Sequence, residues 1–230
     1  MEGKRPPNGA AHWARHAGGF MLAGRAIFWA GTRPTAFEDF LRRFGADREV
    51  ELLDGTVVER MPAPAEHERL REWLYDLLSE HLRATNRGAL YDGATPIEIG
   101  PRRARRPDLF YVGHDSRAIV RRNAAYGTPD LVIEIISAYA LRSDIAARER
   151  DYRSLGVPEI VFLDPVRRQV RLLRRREGGG EGYNEETLLP GAVLHLGALP
   201  ALNIPATWLF SEEDRPPAPV AIRWLSTSSP

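Results

Sequence analysis

The stretch Gly127–Ser137, GTPDLVIEIIS, constrains the fold more than any other part of the chain. Within it Leu131–Ile136 is apolar except for a single acid, Glu134. Neighbouring side chains on a strand point to opposite faces. Leu131, Ile133 and Ile135 therefore form one face, and Val132, Glu134 and Ile136 the other. So dense a run of Leu, Val and Ile reads as a strand covered on both sides. A carboxylate inside it is costly unless it is paired with a cation or binds a metal. The fold must cover both faces and give Glu134 a positive partner.

The rest of the chain supplies such layers. Thr35 is the expected N-cap of a helix over Ala36–Phe44, with Phe37, Phe40, Leu41 and Phe44 on one stripe. Val50–Arg60 reads as a hairpin around Asp54-Gly55. The clearest helix is Glu66–Thr85, where Leu70, Trp73, Leu74, Leu77, Leu78 and Leu82 recur at three- and four-residue spacing; Asn86-Arg87-Gly88 stops it. Strands are expected near Ala89–Tyr91 and Thr95–Ile99. Arg102–Arg106 then reads as a basic loop leading into a strand, Pro107–Val112, that begins at an acid, Asp108. A polar helix over Ser143–Leu155 follows the opening strand, then a hairpin pairs Ile160–Leu163 with Gln169–Arg174. This order predicts an α/β (α+β) domain with a mixed sheet flanked by helices.

The length of 230 residues fits one domain, over 34–211, with a disordered extension at 1–33 and a flexible tail at 212–230. Within that tail only Val220–Leu225 is apolar enough to dock. The absence of cysteine restricts any metal site to oxygen and nitrogen ligands. A formal net charge of +1 favours no class of partner. No apolar run is long enough for a bilayer span. Gly18–Gly31 loosely imitates a secretory signal, but Arg25 interrupts it, so a cytoplasmic location is expected.

Asp108 and Glu134 stand out because each sits in an apolar strand. If those strands are neighbours, the carboxylates can converge on one divalent ion, and such oxygen ligands suit Mg²⁺ or Mn²⁺. The plainer alternative is that each acid is paired with one of the many arginines. On the following helix Asp144, Arg148 and Tyr152 share one face, which lets Arg148 point back toward Glu134. An exposed Asp144–Arg148 pair would instead contribute only about a few tenths of a kcal/mol.

Together these stretches resemble the Uma-type (Uma-two) endonuclease-like family of the PD-(D/E)xK restriction-endonuclease-like superfamily. The resemblance runs from about Thr35 to Phe210. It covers TAFEDFLRRF, VELLDGTVVERMPAPAEHERL, RRARRPDLFYV, GTPDLVIEIIS, the D-x-x-x-R-x-x-x-Y-x-x-x-G series Asp144, Arg148, Tyr152 and Gly156, VPEIVFLDP, and LLPGAVLHLGALPALNIPATWLF. It implies a restriction-endonuclease-like core and Mg²⁺-dependent hydrolysis of DNA phosphodiester bonds, with Mn²⁺ as an alternative ion. Asp108, Glu134 and the backbone carbonyl of Ile135 would hold the metal. The position usually held by lysine falls on Ile136, and in this family the cation has moved to the helix, at Arg148. Arginine stays protonated and cannot act as a base. The resemblance therefore leaves a second reading open, a nuclease fold kept as a nucleic-acid-binding or protein-interaction module without turnover. Ser137-Ala138 also departs from the family's usual Ser-Pro.

Two further residues complete the candidate set. Glu51 opens the first hairpin at a commonly acidic position of the family, and would face the metal or sit as an edge-strand charge. His67, three residues before Leu70, would contact phosphate or a second metal, or serve as a local hydrogen-bonding group. Arginines at 102–106, 117–122 and 167–176 are candidates for DNA phosphates. A homodimer is also expected, with no membrane partner.

Overall fold

The computed structural model describes residues 19–22, 25–28, 34–45, 50–121, 124–176 and 182–227. Gly19–Leu22 (β1) and Arg25–Phe28 (β2) form a hairpin, followed by helix Phe37–Phe44 (α1) and the hairpin Val50–Leu53 (β3) with Thr56–Glu59 (β4). The long helix Ala65–Thr85 (α2) leads to Gly88–Asp92 (β5), Ile97–Gly100 (β6), Arg103–Arg105 (β7) and Leu109–Gly113 (β8). Ile119–Arg121 (β9) and Ala124–Tyr126 (β10) precede strand Leu131–Ile135 (β11), helix Arg142–Leu155 (α3) and strand Glu159–Asp164 (β12). The chain continues through Gln169–Arg175 (β13), Tyr183–Leu188 (β14), Val193–His195 (β15) and Asn203–Pro205 (β16), then helices Ala206–Phe210 (α4) and Ala218–Thr227 (α5).

β11 lies inside a sheet of order β14-β13-β12-β11-β8-β5. It runs parallel to β12 and antiparallel to β8, and every one of its residues is buried. Leu131, Ile133 and Ile135 pack with Leu70, Leu74 and Leu77 of α2. On the other face Val132 packs with Tyr152 of α3, Phe110, Ile160 and Phe162. The alternation within the strand thus decides which helix covers which face. A second mixed sheet, β1-β2-β4-β3-β7-β6-β10-β9, carries α1 through Phe37, Phe40, Val50, Leu52 and Val57.

The β3–β4 turn has positive φ at both Asp54 (52°) and Gly55 (82°), as a two-residue hairpin turn requires. A Cβ on Gly55 would lie 2.5 Å from Pro34 Cβ, so the turn also needs glycine for space.

Several expectations change. Thr35 does not cap α1: the N-cap is Ala36 with no side-chain cap bond, and the Thr35 amide instead donates to the Gly55 carbonyl. The extension at 1–33 lies largely outside the described residues, but β1 and β2 within it are ordered as strands. There β2 pairs with β4, whose outer backbone groups would otherwise form a sheet edge. The expected flexible tail holds α5, which packs on α2 with Ala218, Ala221 and Leu225 at helical spacing on its buried side. Trp73 Nε1 donates to the Pro216 carbonyl at 2.7 Å, and the Trp208 and Trp224 rings meet at 6.2 Å. These contacts outweigh the Pro- and Ser-rich composition that suggests disorder.

The basic loop is likewise not a loop, since 103–105 forms β7 inside the second sheet. Arg106 is 0% exposed. Its guanidinium donates to the carbonyls of Val50 (2.9 Å), Gly93 (3.1 Å), Ala94 (2.7 Å), Phe44 (3.1 Å) and Gly45 (3.2 Å). It therefore ties α1 to β3 and the loop after β5, and is not a phosphate contact. Each buried acceptor left unpaired costs about 1–3 kcal/mol. Arg106→Met is expected to lower the unfolding free energy by more than about 3 kcal/mol in urea titrations, while the exposed Arg102→Met stays within about 0.5 kcal/mol.

Candidate active site at the end of the apolar strand

The antiparallel register pairs Ile133 with Leu109. Glu134, the residue after Ile133, and Asp108, the residue before Leu109, therefore come together at the carboxyl end of β11. The Asp108 carboxylate is anchored by the backbone: its Oδ2 accepts the Ile135 N–H at 2.7 Å. Its Oδ1 faces Arg60 Nη2 at 3.5 Å. The first turn of α2 brings in His67, whose Nε2 lies 3.2 Å from Asp108 Oδ2 and 3.0 Å from the Ile135 carbonyl oxygen. His67 Nδ1 lies 3.3 Å from Glu68 Oε1.

Glu134 is held from α3. Its Oε1 accepts from Arg148 Nη1 at 3.0 Å and from the Tyr152 hydroxyl. Both donors come from one helix face because they are four residues apart. Among the described residues no hydrogen bond reaches Glu134 Oε2. Arg148 also grips Glu51, with Nη2 donating to Oε2 at 3.1 Å, and approaches Asp144 Oδ2 at 3.6 Å. Glu51, 1% exposed, further accepts from Arg105 Nη1 (3.1 Å) and the Arg106 amide (3.0 Å). Arg105 Nε donates to Asp151 Oδ2 at 2.6 Å, and Arg103 bridges Asp151 (2.9 Å) and Asp54 (2.6 Å). A chain of alternating charges thus runs from the β3–β4 turn to Glu134.

The electrostatics follow from this wiring. Burial pushes Glu51 up, but the guanidiniums of Arg148, Arg105 and Arg60 and the Arg106 amide outweigh it and hold its carboxyl well below the usual range. Burial also pushes Asp108 up; the hydrogen bond and charge of His67, then Arg60 and the Ile135 amide, bring it below normal. Glu134 is different. Burial raises it, Arg148 opposes, and the neighbouring Asp108 charge leaves it net raised. The Tyr152 hydroxyl is raised well above normal by burial and the Glu134 carboxylate, so it remains a donor.

A cleft of about 600 Å³ opens over this end of the sheet, and His67, Asp108, Glu134, Ile135 and Arg148 line it together with Arg60 and Arg71. Glu51 is not on its wall; it sits behind Arg148. Arg105, expected as a phosphate contact within 102–106, is instead buried between Glu51 and Asp151. The sequence assigned no role to Asp151 or Arg60, and none to the Tyr152 hydroxyl beyond its place on the helix face. Only Asp151, three residues after Arg148, carried a positional signal. Most arginines at 167–176 are also engaged: Arg167 pairs with Asp164, Arg171 with Glu149 and Glu185, and Arg174 with Glu159 and Glu186.

A family model described as "Uma2: Putative restriction endonuclease" matches residues 37–207. The chain belongs to the Uma2 family. Among solved structures, this Uma2 chain is similar to a "putative nuclease belonging to DUF820" from Anabaena variabilis. That match has 14% sequence identity and a TM-score of 0.58, and covers 84% of this chain and 99% of the other. The likeness establishes a shared nuclease-like fold, in keeping with the expected restriction-endonuclease-like core. No curated protein matches the chain. Among the described residues no helix is long and apolar enough to cross a membrane.

The sequence resemblance implies a divalent ion at this cleft. No group of three or more His, Asp and Glu side chains among the described residues is arranged to hold an ion. The available set is smaller and of another kind, two carboxylates with a backbone carbonyl. Those are hard oxygen donors, and Mg²⁺ or Mn²⁺ completes such a set with water and substrate oxygens. The donor chemistry fits.

Glu51 gives a pH test. Its folded pKa lies below the unfolded value of 4.5, so its stabilisation is fully present above that pH and is lost as pH falls below it toward the folded value. Glu51→Gln is expected to cost about 3–5 kcal/mol at pH 7, because Arg105 and Arg148 lose a buried partner. It is also expected to flatten the fall of stability with pH below 4.5 in denaturant titrations.

Proposed function

We propose that this protein is a Mg²⁺- or Mn²⁺-dependent endonuclease that hydrolyses DNA phosphodiester bonds in this cleft. The observation that carries the reading is the meeting of Asp108, Glu134 and the Ile135 carbonyl at one strand end, on the wall of the cleft and backed by Arg148. Asp108, Glu134 and the Ile135 carbonyl would hold the ion. A divalent ion there would lower the pKa of a bound water and offset charge on the phosphate.

The chain's own groups do the positioning. The Ile135 amide fixes the Asp108 carboxylate, and Arg148 with Tyr152 fixes Glu134 through Oε1. Arg148 cannot take a proton from water. It acts instead as a fixed positive charge that orients Glu134 and favours negative charge in the transition state.

The same pairing motivates the second reading, a fold that binds nucleic acid or protein without turnover. Arg148 is held by Glu51 and Glu134 and occupies the place of a titratable lysine. Plasmid and linear DNA incubated with Mg²⁺ or Mn²⁺ separate the two. Cleavage that falls at least ~100-fold in Asp108→Ala is expected for a ligand that positions the ion. Cleavage undiminished in that variant would remove the assignment. DNA binding without cleavage, in both wild type and Arg148→Lys, would establish the second reading.

A further inference from the structure

We infer that His67 is a nitrogen ligand of the ion in this cleft, so that the site selects a first-row transition-metal ion such as Mn²⁺ over Mg²⁺. This rests on the reading of the cleft as a metal-dependent site, and concerns which ion it takes and through which atom.

One atom, His67 Nε2, lies 3.2 Å from Asp108 Oδ2 and 3.0 Å from the Ile135 carbonyl oxygen. Adjacent ligands of a six-coordinate ion with bonds of ~2.1 Å are about 3.0 Å apart. The nitrogen therefore stands from both oxygens at the spacing of neighbouring ligands on one ion. Of these three donors two are side chains and the third is backbone; His67, Asp108 and Glu134 do not form a preassembled three-side-chain cluster among the described residues.

The far side of the ring supports this assignment. His67 Nδ1 lies 3.3 Å from Glu68 Oε1. Glu68 is itself fixed, because its Oε2 accepts from Arg71 Nε (3.0 Å) and Nη2 (2.8 Å). A carboxylate accepting one imidazole N–H sets the tautomer and turns the other nitrogen's lone pair toward a metal. In the metal-free protein both ring nitrogens carry hydrogens, Nδ1–H toward Glu68 and Nε2–H bridging the two oxygens; the ion takes the place of the Nε2 proton, which is released to solvent. The backbone holds the remaining geometry. The Ile135 amide anchors Asp108 Oδ2, while the Ile135 carbonyl follows one peptide later, so both oxygens are placed by the end of β11.

The choice of ion follows from the donor. Imidazole suits first-row transition metals, whereas Mg²⁺ prefers oxygen ligands and retained waters. Mn²⁺ accepts both kinds and provides a spectroscopic probe.

The test is pulsed electron paramagnetic resonance of Mn²⁺ bound to the full chain, with calorimetric titrations of Mn²⁺ and Mg²⁺. The expected result is histidine-nitrogen modulation of the Mn²⁺ signal in the wild type and its loss in His67→Gln. That variant should bind Mn²⁺ at least tenfold more weakly and Mg²⁺ nearly unchanged, while still folding, as read by circular dichroism. Mn²⁺ bound without nitrogen modulation would overturn the ligand assignment while leaving the metal-dependent reading standing. Failure of the wild type to bind either ion at millimolar concentration would overturn both.

Discussion

The contact between Glu134 and Arg148 is the interaction on which the rest of the structure depends. A carboxylate in the middle of a sheet face is tolerated only if a cation is delivered to it without water, and α3 delivers one. Removing two charges from water costs several kcal/mol each, so such a pair must be embedded in further hydrogen bonds. Tyr152, Glu51, Arg105 and Asp151 supply them. Strands of the second sheet are thereby committed to the same network, because Glu51 sits on β3 and Arg105 on β7. The two sheets are joined electrostatically as well as by packing.

This arrangement separates support from chemistry. Asp108 and the Ile135 carbonyl are positioned by backbone, whereas Glu134 is positioned by side chains reaching from a helix. Glu51, expected at the metal or as an edge charge, is placed in the supporting layer instead. Arg148 faces both ways, lining the cleft and closing the buried network. Its permanent charge suits that structural duty, which a lysine able to lose its proton would perform less completely.

Much of this was legible from residues. The alternation in Leu131–Ile135 assigned each face its covering helix, and the apolar stripe of α2 found its place against one of them. The convergence of Asp108 with Glu134 follows once β8 and β11 are neighbours. The arginine run was not legible, because composition reads the same whether a guanidinium meets water, phosphate or a cage of carbonyls. Arg106 shows the last case. The tail was legible only in part: Val220–Leu225 was apolar enough to dock, but Pro and Ser suggest disorder locally, and its anchoring uses Trp73, 143 residues before Pro216. The His67 contact with Ile135 spans 68 residues and had no local signature beyond its place at a helix start.

The central claim is that the end of β11 is built to hold one divalent ion. Anomalous diffraction from crystals soaked in Mn²⁺ tests it most directly. A single strong peak at bonding distance, ~2.1–2.2 Å, from Asp108 Oδ2 and the Ile135 carbonyl oxygen is the predicted result. An ordered Mn²⁺ elsewhere on the protein, with His67 still bridging those two oxygens, would contradict it.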